Sequence, residues 1–123
     1  MMEFNDNKPI YRQIADYAFN CILERMWLPE ERIPSVRELA ADLGVNSRTV
    51  LKALEYLQNT GVITPRRGMG FILEADAVNK VLSERRREFY QVTVPALREE
   101  MRRLNIKPLD LARFLENGHS LLI

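Results

Sequence analysis

The sequence has little of what catalysis, metal binding or covalent cross-linking requires. Its 123 residues include one cysteine and one histidine, Cys21 and His119. A single cysteine cannot form an intrachain disulfide, and one distant histidine does not complete a metal site with it. The sequence also has no Ser/His/Asp set and no glycine-rich loop of the kind that cradles a phosphate. We therefore expect no enzymatic activity, no bound metal and no cofactor.

Long apolar runs are missing too. No stretch approaches the roughly 18 apolar residues of a transmembrane helix, so no membrane partner is expected. The first residues, Met1–Asp6, are acidic and polar and do not resemble a secretory leader. Hydrophobic residues make up 46% and charged residues 28%, which is typical of a soluble globular protein. This composition, with its single cysteine, predicts a cytoplasmic protein built from a small domain and a helical appendage.

The N-terminal half contains three helical patterns separated by short breaks. Apolar residues recur at helical spacing over 9–27, which predicts a first helix. Ser35 and a glutamate three residues later form a capping-box pattern, so a second helix is expected over 35–43, ending at a glycine. A third helix, capped by Asn46 or the next residue, is predicted to run to about residue 58.

A short β-hairpin is predicted after the third helix. Val62–Thr64 and Phe71–Leu73 are expected to be strands, and the loop between them contains glycines and two adjacent arginines. Two helices joined by a tight glycine turn and followed by a basic hairpin are typical of a winged helix-turn-helix. The predicted fold class is mainly α with a small β-hairpin wing, and the winged helix-turn-helix domain is placed at residues 1–74.

Residues 75–123 are predicted to be a helical dimerisation region. Pro95 interrupts a long helical segment, so a kink or two consecutive helices are expected there, and Pro108 opens a last helix that ends before Gly118. The apolar stripe of this region is either an internal core stripe or the seam of a homodimer. A long helix attached to a small domain has little of its own chain to cover it, which favours a two-fold partner. The residues predicted in the dimer seam are Val78, Val81, Leu82, Phe89, Val92, Leu97, Met101 and Leu104.

The third helix and the hairpin carry residues suited to binding double-stranded DNA. A recognition helix presents its N-terminal residues to the major groove, where Asn pairs with adenine, Arg with guanine, and Ser or Thr with bases or phosphates. Arginines at a wing tip suit the minor groove or its phosphates. No acidic residue occurs in 43–54 or 56–73, so the local charge is positive although the net charge is only +1. The predicted DNA-binding residues are Ser35, Arg37, Asn46, Ser47, Arg48, Thr49, Lys52, Arg66, Arg67 and Gly68.

Several separate pieces of the sequence resemble the winged-helix domain of GntR-type regulators over roughly residues 8–73. These pieces are Ile33–Ala40, Leu43–Val45, Thr49–Val50, Ala53–Leu54, Leu57, Gly61 and the wing Arg67-Gly68-x-Gly70. The C-terminal part, with Pro95 and a last short helix, resembles the short YtrA-like branch, whose members carry two dimerising helices instead of a large effector domain. The resemblance implies DNA contacts by Arg37, by Asn46 to Thr49 and by Gly68.

The sequence departs from the family pattern at the recognition helix. Many members read Ser-Arg-x-Thr where this chain has Asn46-Ser47-Arg48-Thr49, so the arginine comes one position later and the base that it reads does not carry over. The YtrA-like branch often has Asn at the first of these positions. The resemblance implies a regulator, most simply a repressor, that binds an inverted-repeat operator as a homodimer. It also implies that the regulated genes include an ABC-type transport operon and the regulator's own gene.

Other interpretations of these residues remain open. The basic residues of the third helix and the wing can be solvated surface groups, and Arg37 can pair with Glu38 or Asp42 instead of with DNA. Arg85–Arg87 is interpreted as a solvated helix face outside the DNA site. The alternative function is a winged-helix module that binds another protein without specific DNA binding. A further alternative is control of the dimer by a small-molecule effector bound between the tail and the wing domain.

Overall fold

The structure is a computed structural model that describes residues 2–118, so His119 lies outside the described residues. The elements, in chain order, are α1 Ile10–Leu23, α2 Val36–Leu43, α3 Ser47–Asn59, β1 Ile63–Arg66, β2 Gly70–Leu73, α4 Ala77–Glu88, a π-helical turn Phe89–Thr93, α5 Val94–Leu104 and α6 Pro108–Asn117. This order confirms the predicted fold class, mainly α with a small β-hairpin wing. The chain forms two compact units that divide between Glu84 and Arg85.

Helix α1 ends earlier than its apolar pattern predicts. The backbone N–H groups of Met26 and Trp27 both donate to the carbonyl oxygen of Cys21, at 2.8 and 3.1 Å. Between them and the helix end, Arg25 adopts a left-handed conformation with φ 63. These bonds close the helix and turn the chain back on itself. Trp27 therefore packs into the core from the loop after the helix, at 9% exposure, and not from its last turn.

The predicted caps of α2 and α3 are present. Ser35 Oγ accepts the Glu38 N–H and the Glu38 carboxylate accepts the Ser35 N–H, both at 3.1 Å, which is a complete capping box. Helix α2 ends at Gly44, whose φ of 69 is the left-handed conformation that glycine adopts at low cost. Asn46 then caps α3, because its Oδ1 accepts the Arg48 N–H at 2.7 Å. Local hydrogen bonds thus set the short turn between the two helices.

The connector before α2 extends the wing sheet. Strands β1 and β2 pair antiparallel, with Ile63 opposite Leu73 and Arg66 opposite Gly70. On the other edge of β2, Arg32 forms an isolated bridge to Ile72, and the Ile33 N–H donates to the Phe71 carbonyl at 3.0 Å. The start of α2 is therefore tied to the base of the wing by backbone hydrogen bonds.

The first unit has one apolar core that α1, α2, α3, the hairpin and the start of α4 share. Its largest fully buried side chains are Phe19, Ile14, Ile22, Leu54, Leu57, Ile63, Leu73, Val50, Val62 and Val81. Burying side chains of this size removes most of their apolar area from water, the main favourable term in folding. The core fixes α3 with one face inward and leaves its other face to solvent.

The start of α4 belongs to this core, which corrects two predictions. Ala77 and Val81 are fully buried in it, and Val78 packs against it half-buried. The domain boundary expected after residue 74 therefore lies after Glu84. Val81 is also removed from the predicted dimer seam, because a side chain with 0% exposure inside one unit has no surface left for a second chain.

The described part of the second unit is helical and has no buried side chain. The interruption predicted at Pro95 takes the form of the π turn, in which the Val94 N–H donates to the Phe89 carbonyl five residues earlier. Proline has no N–H to donate and its ring crowds the carbonyl four residues before it, so a wider turn there relieves both problems. Helix α6 begins at Pro108 and ends at Asn117, just before Gly118, as predicted.

Candidate nucleic-acid interface

The first turns of α3 present polar side chains on the face away from the core. Ser47, Arg48 and Lys52 are exposed, and Thr49 is half-buried. The opposite face of the helix is buried through Val50, Ala53, Leu54 and Leu57. Because residues three and four apart share a helix face, the exposed residues form one strip at the N-terminal half of α3. This strip is the candidate for the reading surface of a recognition helix.

Two of the predicted DNA-binding residues also hold the backbone in place. The Asn46 side-chain oxygen accepts the Arg48 N–H, so only its amide NH2 is free to donate to another group. Bidentate pairing of Asn46 with adenine uses the same oxygen, which already accepts one hydrogen bond in the cap. Ser35 Oγ is likewise the acceptor of the α2 cap. Ser35 and Asn46 therefore fix the starts of α2 and α3 through their caps.

Arg37 is exposed at the start of α2 and has no ion pair within the described chain. The sequence left open a pair with Glu38, but that carboxylate is occupied by the Ser35 N–H and by the Arg32 guanidinium at 3.2 Å. The Ser35 backbone hydrogen bond is the main reason why the pKa of Glu38 lies below its usual value, followed by the Ser35 hydroxyl. In the described chain the ion-pair partner of Glu38 is therefore Arg32 and not Arg37.

Lys52 is positioned by an aromatic ring that the sequence did not indicate. Its Nζ lies 4.4 Å from the centroid of the Tyr11 ring, in the first turn of α1. The Tyr11 ring in turn makes an edge contact with Tyr56, with 6.4 Å between centroids. A cation over an aromatic face is held by the ring quadrupole while its other side stays open to solvent. Tyr11 thus supports one cation of the candidate interface, and a tyrosine in a helical apolar stripe carries no signal for that role.

The wing places its two arginines at an open turn. Arg66 ends β1 and Arg67 begins the turn, and both are exposed without an ion pair in the described chain. Gly68 has φ 76, and a Cβ built on it would meet nothing within 4 Å. The glycine is therefore required by its backbone conformation, and the space around it is free for a ligand. The structure brings the wing, α2 and α3 into one compact unit, as a winged helix requires.

Most of the residues predicted in the dimer seam are on the surface of the described chain. Val78 and Leu82 are half-buried in the first unit, and Met101 is half-buried in the second. The exposed members are Phe89, Val92, Leu97 and Leu104. Helix α6 adds exposed apolar residues that the prediction missed, although their spacing was visible in the sequence. They are Leu109, Phe114 and Leu115.

The described residues offer neither a membrane span nor a metal site. No helix within residues 2–118 is both long enough and apolar enough to cross a bilayer. Over the same residues, no three side chains among His, Cys, Asp and Glu come together as possible metal ligands. Cys21 is buried in α1, and burial raises the pKa of its thiol, so it packs as a small apolar group.

Comparison of the sequence with known proteins identifies relatives of this chain. The family model of bacterial regulatory proteins, gntR family, matches residues 10–73. The chain is 35% identical over 99 residues to the HTH-type transcriptional regulator YhcF of Bacillus subtilis, covering 79% of this chain and 82% of YhcF. It is 38% identical over 69 residues to the HTH-type transcriptional repressor YtrA of the same species, covering 56% of this chain and 53% of YtrA.

Solved structures show the same fold. A GntR family transcriptional regulator from Listeria monocytogenes superposes with a TM-score of 0.77 at 28% identity, covering 93% of this chain and 98% of that one. The DNA-binding domain of AraR, solved in complex with operator ORX1, superposes with a TM-score of 0.53 at 26% identity, covering 58% of this chain and 92% of that one. The chain therefore belongs to the gntR family of bacterial regulatory proteins and is a DNA-binding transcription regulator.

Proposed function

We propose that the chain represses transcription as a homodimer that binds an inverted-repeat operator through α3 and the wing. One observation carries the proposal: exposed arginines without an ion pair in the described chain occur on all three parts of a winged-helix reading surface. They are Arg37 on α2, Arg48 on α3, and Arg66 and Arg67 on the wing. The complex of the AraR DNA-binding domain with its operator supports the same use of the related unit here.

Each part of this surface has its own role in the proposal. Arg48 reads a guanine in the major groove, since its guanidinium matches the O6 and N7 acceptors. Lys52, beside Tyr11, contacts a phosphate, because the ring holds its ammonium at the flank of the helix. The wing arginines enter the minor groove or clamp its phosphates, and Gly68 allows the backbone to approach closely. Arg37 anchors α2 to the backbone beside the groove.

The second unit supplies the dimer contact in this proposal. Its described helices expose many large apolar side chains, among them Phe89, Val92, Leu97 and Phe114. A groove of about 510 Å³ between α5 and α6 is lined mainly by apolar residues. Exposed apolar patches of this kind mark contact sites, and a two-fold partner covers equivalent patches of both chains at once. A dimer also matches the symmetry of an inverted repeat, with recognition helices about 34 Å apart.

The alternative is a winged helix that binds a protein and makes no specific contact with DNA. The arginines without an ion pair favour DNA, since phosphates and guanine edges both offer acceptors that match a guanidinium. We expect no catalysis from a member of a regulator family, and we place the protein in the cytoplasm because that is where a bacterial regulator meets its operator. An effector bound between the two units remains a prediction, as does control of a transport operon.

The test is selection of binding sites from a random duplex library with three proteins in parallel: the wild type, Arg48→Ala and Arg86→Ala. Arg86 is the matched control, because it is an exposed arginine in the last turn of α4, outside the proposed site. We expect the wild type and Arg86→Ala to enrich the same inverted repeat, and Arg48→Ala to lose it or to relax one position in each half-site.

Two outcomes contradict the proposal. If the wild type enriches no sequence and binds all duplexes equally weakly, the result favours the alternative, a winged helix that binds a protein. If it enriches a single half-site with no symmetric partner, DNA reading stands but the homodimer on an inverted repeat does not.

A further inference from the structure

One side chain on the outer face of α3 does not share the polar character of its neighbours. Leu51 is 42% exposed and lies in the sequence between Arg48 and Lys52 of the strip proposed to face DNA. The other exposed side chains of α3 are all polar or charged. They are Ser47, Arg48, Lys52, Glu55, Gln58 and Asn59.

Helix geometry puts Leu51 beside the residues proposed to read bases. It comes four residues after Ser47 and three after Arg48, so the three side chains share one face of the helix. It also follows Val50, which is fully buried, and so lies at the border between the core face and the open face. Leu51 is absent from the buried core and from the partly buried residues that pack against it. Leu51 is therefore not a core residue of the unit.

The major groove contains one apolar feature on the edges of its bases. That feature is the C5 methyl group of thymine, and apolar side chains recognise it by packing against it. Phosphates and the other base edges offer only polar groups, which a leucine cannot satisfy. A side chain that is apolar, exposed and flanked by Ser47 and Arg48 has the chemistry to distinguish thymine from cytosine at its position.

We propose that Leu51 is a specificity-determining residue that selects a thymine in each half-site through its C5 methyl group. The proposal rests on the proposed function, since it assumes that α3 enters the major groove. It adds an apolar contact to a surface otherwise defined by charge. It also predicts a dependence on a single methyl group of the DNA, which no contact with phosphate produces.

The experiment uses the operator obtained from site selection and replaces its thymines with deoxyuridine, one symmetric pair at a time. Deoxyuridine keeps the base pairing and removes only the methyl group. We expect one pair of positions where wild-type affinity falls by about fourfold per half-site, the effect of removing one buried methyl group. Leu51→Ala should lose a similar amount with the thymine operator and be insensitive to deoxyuridine at that pair. Leu51→Met should keep most of the discrimination.

Leu28→Ala is the matched control, because Leu28 is a leucine with 43% exposure in the loop after α1. It should bind both operators as the wild type does. The proposal is overturned if no deoxyuridine position weakens the wild type, or if Leu51→Ala retains the full deoxyuridine effect at every position. In both cases specific binding by the wild type leaves the proposed function standing. If the wild type enriches no operator, the proposed function fails first and the role of Leu51 falls with it.

Discussion

Arg48 and Lys52 lie one helical turn apart on the same face of α3, but their surroundings differ. The Lys52 ammonium lies over the Tyr11 ring, while the Arg48 guanidinium has no ion pair within the described chain. A restrained ammonium at the flank of the helix is suited to a phosphate, which carries no sequence information. An unrestrained guanidinium in the first turn is suited to a base edge. The two cations are therefore expected to contribute to binding in different ways.

Lys52→Ala should weaken binding to every duplex by a similar factor. Loss of one phosphate contact should also reduce the slope of log affinity against log salt by about 1 for each half-site. Arg48→Ala should instead relax the preference at one base pair. Fluorescence anisotropy with specific and random duplexes, between about 50 and 200 mM salt, separates the two effects. A Lys52→Ala protein with an unchanged salt slope and an altered preferred sequence would reverse the assignment.

At the scale of the elements, the capping box of α2 also organises the interface. The Glu38 carboxylate bonds to the Ser35 N–H and to Arg32, whose backbone pairs with the wing strand at Ile72. One carboxylate therefore contacts both the start of the helix that carries Arg37 and the base of the wing. The charge on Glu38 matters for this arrangement, because an ionised carboxylate is the stronger acceptor.

Stability should depend on the ionisation of Glu38 at acid pH. Its pKa in the folded state lies below the usual 4.5, first because of the Ser35 backbone hydrogen bond. A group with a lowered folded pKa stabilises the protein above its unfolded pKa, and that contribution is lost as pH falls through the folded pKa. Glu38→Gln should therefore be less stable than the wild type at neutral pH, and the difference should shrink at acid pH, below about 4.5.

Urea unfolding followed by circular dichroism, in steps from neutral to acid pH, measures this difference. Glu55→Gln is the control, because Glu55 is an exposed glutamate of α3 with no ion pair in the described chain. A Glu38→Gln difference of constant size at all pH values would show that the charge has no part in the cap.

At the scale of the whole molecule, the two units have opposite characters. The first unit buries an apolar core and has exposed cations on its surface, whereas no side chain in the described part of the second unit is buried. A soluble monomer rarely presents so much apolar surface. The proposed division of labour follows from this contrast: one unit reads DNA and the other pairs the two chains.

Charged substitutions on α6 should separate the two chains. Phe114→Glu together with Leu115→Glu places carboxylates among apolar neighbours, which a buried seam cannot accommodate without a large desolvation cost. Sedimentation equilibrium should show a dimeric wild type and a monomeric variant, and the variant should bind the operator more weakly because it loses the second half-site contact. Met26→Glu, at a residue 67% exposed in the first unit, should stay dimeric. A wild-type protein that is monomeric at a protein concentration of tens of micromolar would contradict the proposed dimer contact.

Much of the fold followed from signals that act within a few residues. The Ser35 cap, the left-handed Gly44, the basic hairpin and the start of α6 at Pro108 were all predictable, because caps, turns and helix periodicity depend on neighbours in the chain. The exposed polar strip on α3 was predictable from the sequence because it also follows from helix periodicity. Its assignment to DNA came from residue chemistry and family resemblance, and family membership is now shown by comparison.

Other features depended on partners far away in the sequence. In the sequence, Val81 is one position of a long amphipathic stripe. In the structure it is buried in a core to which α1 and α3 contribute. The strand-like pairing of Arg32 with Ile72 and the support of Lys52 by Tyr11 arise in the same way. Local patterns specify which face of an element is apolar, but the surface that covers that face is chosen when distant segments compete to bury it.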